Sequence, residues 1–414
     1  MGICAYGLQR QQLHCIPLVK TFLFKMDTCE VSQELTTNVT QGSVDNSSAA
    51  VLLMKVIPIV FLVFGTAGNI LSIVVLRRPF MRKTWTGFFL SSLAVVDTLV
   101  LWTGLLRHTI KAYNPDTDIR DLSSIGCKLH RFLLYVFLDM SAWILVALTV
   151  GRYITVCHVF KASTWCTRKR ALIALLVIIL FTVGLNLHTL WTVDLNCNPA
   201  TGQLKCDHFQ ETDPYFYFVE NAVPWIAVCV YAFGPFTIMI ILNGCIIRRI
   251  RKSQRYHNSM KVRSISIQSQ NSICDDKISF NKNGAPGPSL GTTSSPYPDC
   301  PNKDHHNEHA RSTTVMLLVV TFAFLLLASP SFVNLIVEYY TRNTHELTLE
   351  HKSEHQLGST LVLILNYMNH AVNFILYCVS GKSFRDELVR MFRENSRKMS
   401  VRSAYSAEIG MCRY

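Results

Sequence analysis

Near the end of its last apolar run the chain reads Asn373-Phe374-Ile375-Leu376-Tyr377, followed by Ser380-Gly381-Lys382-Ser383-Phe384-Arg385. An Asn and a Tyr four apart share one helix face, and beside hydrocarbon their polar groups must find partners inside the protein or water. Asp97, Asp139 and Arg152 are equally out of place, each within or at the end of an apolar stretch. An ionised side chain at the centre of a bilayer costs about 3 kcal/mol on insertion scales, so both carboxylates should point away from lipid. The chemistry open to such groups is hydrogen-bond exchange, cation binding or a moving switch. No nucleophile-base pair or metal cluster is apparent, so an enzyme is not expected; His305, His306 and His309 read more readily as a solvated polar tract than as a metal site.

These residues require apolar helices to hold them. The chain has 414 residues, half of them hydrophobic and only 16% charged, with a mean hydropathy of +0.25, which is too apolar for an ordinary soluble protein of this size. Seven stretches are long enough to cross ~30 Å of hydrocarbon at ~1.5 Å per residue. They cover residues 51–76, 86–106, 129–156, 171–190, 222–247, 313–337 and 359–379. The fold class is therefore an all-α membrane protein, a seven-helix bundle. Beyond it, residues 382–393 place Phe384, Leu388 and Phe392 on one face and basic residues on the other, as in a short interfacial helix.

The first two expected inner loops carry Arg77, Arg78, Arg82 and Lys83, then Lys161, Arg168, Lys169 and Arg170, with no acid among them. This bias predicts an outer N-terminus and an inner C-terminus. The net charge of +13 then describes a membrane surface, and no nucleic-acid module is present. Residues 1–50 form an extracellular segment with glycosylation acceptors at Asn38 and Asn46, although short sequons also arise by chance. Residues 15–24 are too short, and too interrupted by Lys20, for a signal peptide, and Met26 offers an alternative start. Residues 51–380 form the bundle, including a third inner loop over 252–311 whose Gly/Pro/Ser/Thr-rich centre reads as disordered. Residues 381–414 are the interfacial helix and cytoplasmic tail.

Among 14 cysteines, Cys127 lies at the outer end of the third run, while Cys197 and Cys206 bracket the second outer loop. A bridge from Cys127 would pin that loop over the bundle. Asn198-Pro199 and Thr201-Gly202 make a turn and put Cys206 on the return strand of a hairpin, which favours Cys206; Cys197 is the competing partner.

An ordered set of motifs now stands out: Gly68-Asn69, Leu93 to Asp97, Cys127, Gly151-Arg152-Tyr153, Pro235, Pro330 and the Asn373 to Tyr377 string. Over about residues 51–395 the chain resembles a class A (rhodopsin-like) G-protein-coupled receptor. Cys157-His158, the run from Cys166 to Arg170, Asn243 after Pro235, and Asn373-Phe374 in place of Asn-Pro resemble invertebrate neuropeptide receptors of the FMRFamide-receptor-like group. The resemblance implies a polar network of Asn69, Asp97, Ser141, Asn369 and Asn373, often a sodium site, whose plainer alternative is an interhelical hydrogen bond. It also implies that Arg152 and Tyr153 meet a heterotrimeric G protein when the inner end of the sixth helix moves outward, with Asn243, Phe324, Pro330, Asn373 and Tyr377 carrying the relay. Arrestin and a receptor kinase would follow at the Ser/Thr-rich inner segments, where Arg397-Lys398-Met399-Ser400 is a basic-directed phosphorylation motif.

Departures from the family pattern are expected to matter. Gly151 stands where an acid usually locks the Arg, which implies raised basal signalling or a substitute lock. Ala328 replaces the toggle Trp, Phe374 the kinking Pro, and the fourth run has no Trp. An amine receptor would need an acid at Leu134, and retinal a Lys in the last run, so neither ligand is expected. The outer rim instead offers Arg107, His108, Arg131 and Tyr135 against Glu220 and Glu338, with Trp225, Asn334 and Tyr367 nearby and Asp139 deeper. Mixed charge with aromatic walls suits a short peptide, amidated or not; belt anchors and snorkelling charges would look similar. The expected function is a plasma-membrane neuropeptide receptor, with a chemosensory or other small-molecule receptor as the alternative. A transporter is disfavoured because no internal repeat is apparent.

Overall fold

The computed structural model describes residues 45–198, 203–208, 217–278, 302–343 and 349–411. The glycosylation candidate Asn38 lies outside them, as does the side chain of Asn46. Among the described residues, six helices are long and apolar enough to cross a membrane: Ala50–Leu76, Trp85–Tyr113, Ser124–Cys157, Arg168–Thr192, Val223–Met260 and Arg311–Val337. A seventh span is made by Leu357–Ala371 and Asn373–Ser380, bent by 56° where they meet. Three of the described helices begin on side-chain caps. Thr84, Ser123 and Thr167 accept hydrogen bonds from the backbone N–H of Gly87, Gly126 and Arg170, satisfying donors that a helix start leaves free.

The third span is the axis of the bundle, packing on the second, fourth, fifth and sixth. The core gathers Leu93 and Val96 of the second span, Leu145 and Leu148 of the third, and Phe324 and Ala328 of the sixth. Lipid takes the place of a second core: Phe64, Leu176, Phe233 and Leu326 are all exposed on the outer surface of the bundle. Residues 171–190 of the fourth span carry no Trp, and Trp143 of the third packs edge-on to its Phe181, with ring centroids 5.3 Å apart.

The seventh span bends although Phe374 stands where a proline would normally kink it. Val372 leaves helical geometry at φ −92°, ψ −4°, and the Asn69 amide of the first span donates to the His370 carbonyl at 3.2 Å beside the break. A side chain inserted into the helical ladder is one of the few causes of a sharp kink. The sixth span does contain its proline, Pro330, and Ser329 Oγ donates at 3.2 Å to the Leu326 carbonyl that a proline N–H cannot serve.

At one end of the bundle β1, Val193–Asn198, pairs antiparallel with β2, Gln203–His208, with Leu195 opposite Cys206. The disulfide runs from Cys127 to Cys206, which decides between the two cysteines considered from sequence. Polar contacts seat the hairpin further: Lys128 pairs with Asp194 at 3.2 Å, Arg131 donates to the Cys206 carbonyl at 3.1 Å, and Asp121 accepts from the Cys206 N–H at 2.8 Å.

At the opposite end the helix Lys382–Met411 is longer than the expected interfacial segment, and a different face packs on the bundle. Phe384 and Met391 are buried, whereas Phe392 is exposed. Glu387 and Glu394 draw this face inward, since both reach Arg78 of the first connector, at 3.6 and 2.7 Å. Helix also enters the 252–311 segment expected to be disordered, continuing to Ile278 and resuming at Asn302. Neither Gly nor Pro interrupts residues 245–278, while the stretch 279–301, outside the described residues, contains several of both.

Because the disulfide closes a separation of 79 residues, chain entropy assigns it on the order of 4 kcal/mol. Cys127→Ala or Cys206→Ala should lower the melting midpoint and surface expression, and Cys197→Ala should leave both near wild type. A dye-based melting curve with surface immunostaining checks this.

Candidate functional site

The buried hub lies midway along the bundle. Asp97 and His370 are both wholly excluded from solvent. One Asp97 oxygen accepts from Ser141 Oγ at 2.8 Å and from His370 Nδ1 at 2.7 Å, and the other accepts from Asn373 Nδ2 at 2.6 Å. A carboxylate can only accept, so Nδ1 carries the proton in this pair. Second, third and seventh spans are thereby tied at one atom group. Asn369, expected in the network, is buried, but the bond to Asp97 comes from its neighbour His370. One position along a helix is a rotation of about 100°, and it is His370 that shares a face with Asn373 and Tyr377. Asn69 joins through the His370 backbone rather than through Asp97. Intramembrane ionisable residues are the signal that singled out Asp97, and the same signal would have found His370.

Arg152 is covered. Its guanidinium lies 5.5 Å from the centre of the Trp85 ring and donates to Thr86 Oγ1 at 3.4 Å. Gly151 explains the arrangement, because a Cβ there would overlap the Trp85 indole. The acid missing from position 151 is thus replaced by an aromatic face, which attracts a cation by about 0.5–2 kcal/mol depending on desolvation. Tyr153 Oη and His158 Nε2 share a hydrogen bond at 3.3 Å beside it.

The sixth span is shut against its neighbours at this end. Asn243 Nδ2 of the fifth span donates to Thr321 Oγ1 at 2.9 Å, and the Ser383 N–H of the terminal helix donates to Ser312 Oγ at 3.3 Å. Gly381 leaves room for Met316, since a Cβ would press on its sulfur. Where the toggle Trp is absent, Ala328 is buried and aromatics from two spans fill the layer. Phe236 packs on Phe324 at 5.6 Å and on Phe332 at 5.0 Å, and Tyr231 meets Phe332 at 5.5 Å. Tyr377 packs its ring on Phe384 at 5.5 Å. Beyond Arg152, the short helix Val159–Trp165 holds Phe160 at 99% exposure, a residue that its sequence context did not single out.

The expected ligand residues fall into separate groups. Arg107 is buried and engages Asp118 of the connector between the second and third spans, with its Nε 2.9 Å from one carboxylate oxygen and its Nη2 on the second. Arg120 adds a bond to the same carboxylate at 3.1 Å. Burial by itself would raise the Asp118 pKa; the hydrogen bonds from Arg107 and Arg120 outweigh it and hold the carboxyl well below the usual carboxylate range. Arg107 is therefore first a loop anchor. His108 packs edge-on to Tyr367 at 5.9 Å, and Gly104 leaves room for the Tyr367 hydroxyl. Asp139 is buried and accepts from Asn186 of the fourth span at 2.6 Å. Asn334 accepts from Ser359 at 3.2 Å, Tyr135 and Trp225 are exposed, and the side chains of Glu220 and Glu338 lie outside the described residues.

Seven spans, a disulfide-pinned hairpin over one end and a covered Arg at the other define the class, and the sequence comparison agrees: residues 68–377 match the 7 transmembrane receptor (rhodopsin family) model. The chain belongs to that family, whose members are multi-pass receptors of the plasma membrane rather than enzymes. It is 23% identical to the FMRFamide receptor of Drosophila melanogaster over 80% of its own length and 52% of that protein, so it spans about half of that relative. It is 25% identical to the thyrotropin-releasing hormone receptor of Ovis aries, covering 78% of this chain and 73% of that one. It is 24% identical to the growth hormone secretagogue receptor type 1 of Oryctolagus cuniculus, covering 78% and 76%.

Three outcomes follow from this geometry. Trp85→Ala should release Arg152 and raise basal signalling by about 5- to 30-fold, the factor that 1–2 kcal/mol gives. Gly151→Asp should fold only alongside Trp85→Ala, as surface expression will show. For Asp118 the depressed folded pKa contributes stability that is complete above the unfolded value of about 3.9 and fades as pH falls below it. The melting-midpoint difference between wild type and Asp118→Asn should therefore stay constant from about pH 8 to 5 and shrink below about pH 4.

Proposed function

We propose that this chain is a receptor for a short peptide that signals to a heterotrimeric G protein through outward movement of the inner end of the sixth span. The observation that carries this reading is the chemistry of the hairpin end: a β-ribbon pinned by the disulfide, a cluster of Arg107, Arg120 and Asp118, the aromatic pair of His108 and Tyr367, and the buried Asp139. A peptide brings charges and backbone amides, and mixed charge against aromatic walls can satisfy both. The relatives support the same reading, since each is named as a receptor for a peptide or hormone ligand.

The hairpin end faces outward in this proposal, which leaves Arg77, Arg78, Arg82, Lys83, Lys161 and Arg168 on the cytoplasmic side as the positive-inside rule requires. Activation then means parting Asn243 from Thr321 and Ser312 from Ser383, so that Arg152 leaves Trp85 and enters the opened face. Peptide binding drives this only to the extent that it favours the open arrangement. Phe160 provides the apolar anchor of the G protein, and phosphorylation near Ser400 prepares the tail for arrestin.

Cells expressing the chain should give a saturable calcium or cyclic-AMP response to one member of a library of short amidated and unmodified peptides. Phe160→Ala should lower the potency of that response by about tenfold while leaving peptide binding intact. Silence to every peptide at normal surface expression would overturn the peptide assignment, and an unchanged response in Phe160→Ala would remove Phe160 from the coupling face.

A further inference from the structure

Many relatives of this fold are expected to hold a sodium ion at the position of Asp97, and the residues present can be tested against that ion. Sodium is a hard cation and binds through several oxygens at once. An ionised carboxylate offers about four acceptor sites. Here three of them are taken, by Ser141 Oγ, His370 Nδ1 and Asn373 Nδ2, all within 2.8 Å. Two of the three partners are N–H donors, whose hydrogens point at the carboxylate and turn positive charge toward any cation approaching it. The second and seventh spans contribute no further acid to the hub, and Asn69 turns its amide N–H to the His370 carbonyl. The site does not fit sodium.

We propose that the imidazole of His370 fills the cation seat beside Asp97, so that this receptor is insensitive to sodium and its hub is joined by a side chain of the protein instead of by an exchangeable ion. A bound ion would join Asp97 to neighbouring spans through coordination that comes and goes with salt. The imidazole makes the same bridge between second and seventh spans permanently, and both of its residues are wholly buried. Four polar atoms around this region, Asn69 Oδ1, Ser72 Oγ, His370 Nε2 and Tyr377 Oη, are buried without a protein hydrogen-bond partner. They mix hydroxyls with acceptors, a set that suits bridging water. His370 is a positioning residue in this account, since it touches neither ligand nor effector.

The test uses the purified full-length receptor in detergent, melted in sodium chloride and in choline chloride at equal ionic strength, so that the ion itself is the probe. Wild type and Asp97→Asn should respond identically to the exchange of choline for sodium. His370→Ser, which opens the seat and leaves an oxygen, should gain a saturable sodium-specific rise of about 2–4 °C, and the double variant with Asp97→Asn should lose it. Sodium stabilisation of wild type beyond that of Asp97→Asn overturns the proposal, as does a His370→Ser receptor that folds and gains nothing. If His370→Ser fails to fold, the comparison of wild type with Asp97→Asn still decides.

Discussion

The carboxylate of Asp97 cannot be exposed to lipid and cannot be left bare in the interior, and much of the bundle is arranged around that constraint. Removing an ion from water costs several kcal/mol that only well-placed hydrogen bonds and opposite charge return. Ser141, His370 and Asn373 supply the bonds, and supplying them fixes how the second, third and seventh spans lie together. The bend of the seventh span belongs to the same arrangement. Asn373 reaches Asp97 from just beyond the break, and Asn69 serves the backbone just before it. A proline is unnecessary where side chains on neighbouring helices hold the kink from both sides.

The family's usual parts are missing in several places, and each absence coincides with a local substitute. Gly151 makes room for Trp85, and Trp85 supplies Arg152 with an aromatic face in place of a carboxylate. Ala328 sits in a layer filled by Phe236, Phe324 and Phe332. Trp143 turns from the third span toward Phe181 in the stretch 171–190, which has no Trp. At position 151 the replacement acts as a pair, so a single reversion to an acid introduces an overlap with Trp85 instead of restoring a contact. Coupling of this kind is expected wherever two residues share one packed volume.

The span count, the hairpin and the interior placement of Asp97 and Asn373 were legible in the sequence because they follow from local patterning and from the cost of polar groups in lipid. What required the fold was pairing. Neighbouring residues on a helix point about 100° apart, so choosing His370 over Asn369 depends on the rotation of the seventh span, which Asn69 and the break at Val372 set. Arg107 read as a rim charge open to ligand because its partner, Asp118, lies in a connector whose path no periodicity fixes. Trp85 is far in sequence from Arg152, and the vacancy at Gly151 was visible without the ring that fills it. The terminal helix shows the same limit: its amphipathic character was apparent, but Arg78 and the two glutamates decide which face turns inward.

The central claim is that Asp97 and His370 act as one unit holding two spans. A double-mutant cycle on the purified receptor, combining Asp97→Asn with His370→Ala and reading thermal stability, measures that directly. The account predicts strong non-additivity, with His370→Ala costing far less in the Asp97→Asn background than in wild type. Additive losses would show that the two residues stabilise the bundle independently and would contradict it.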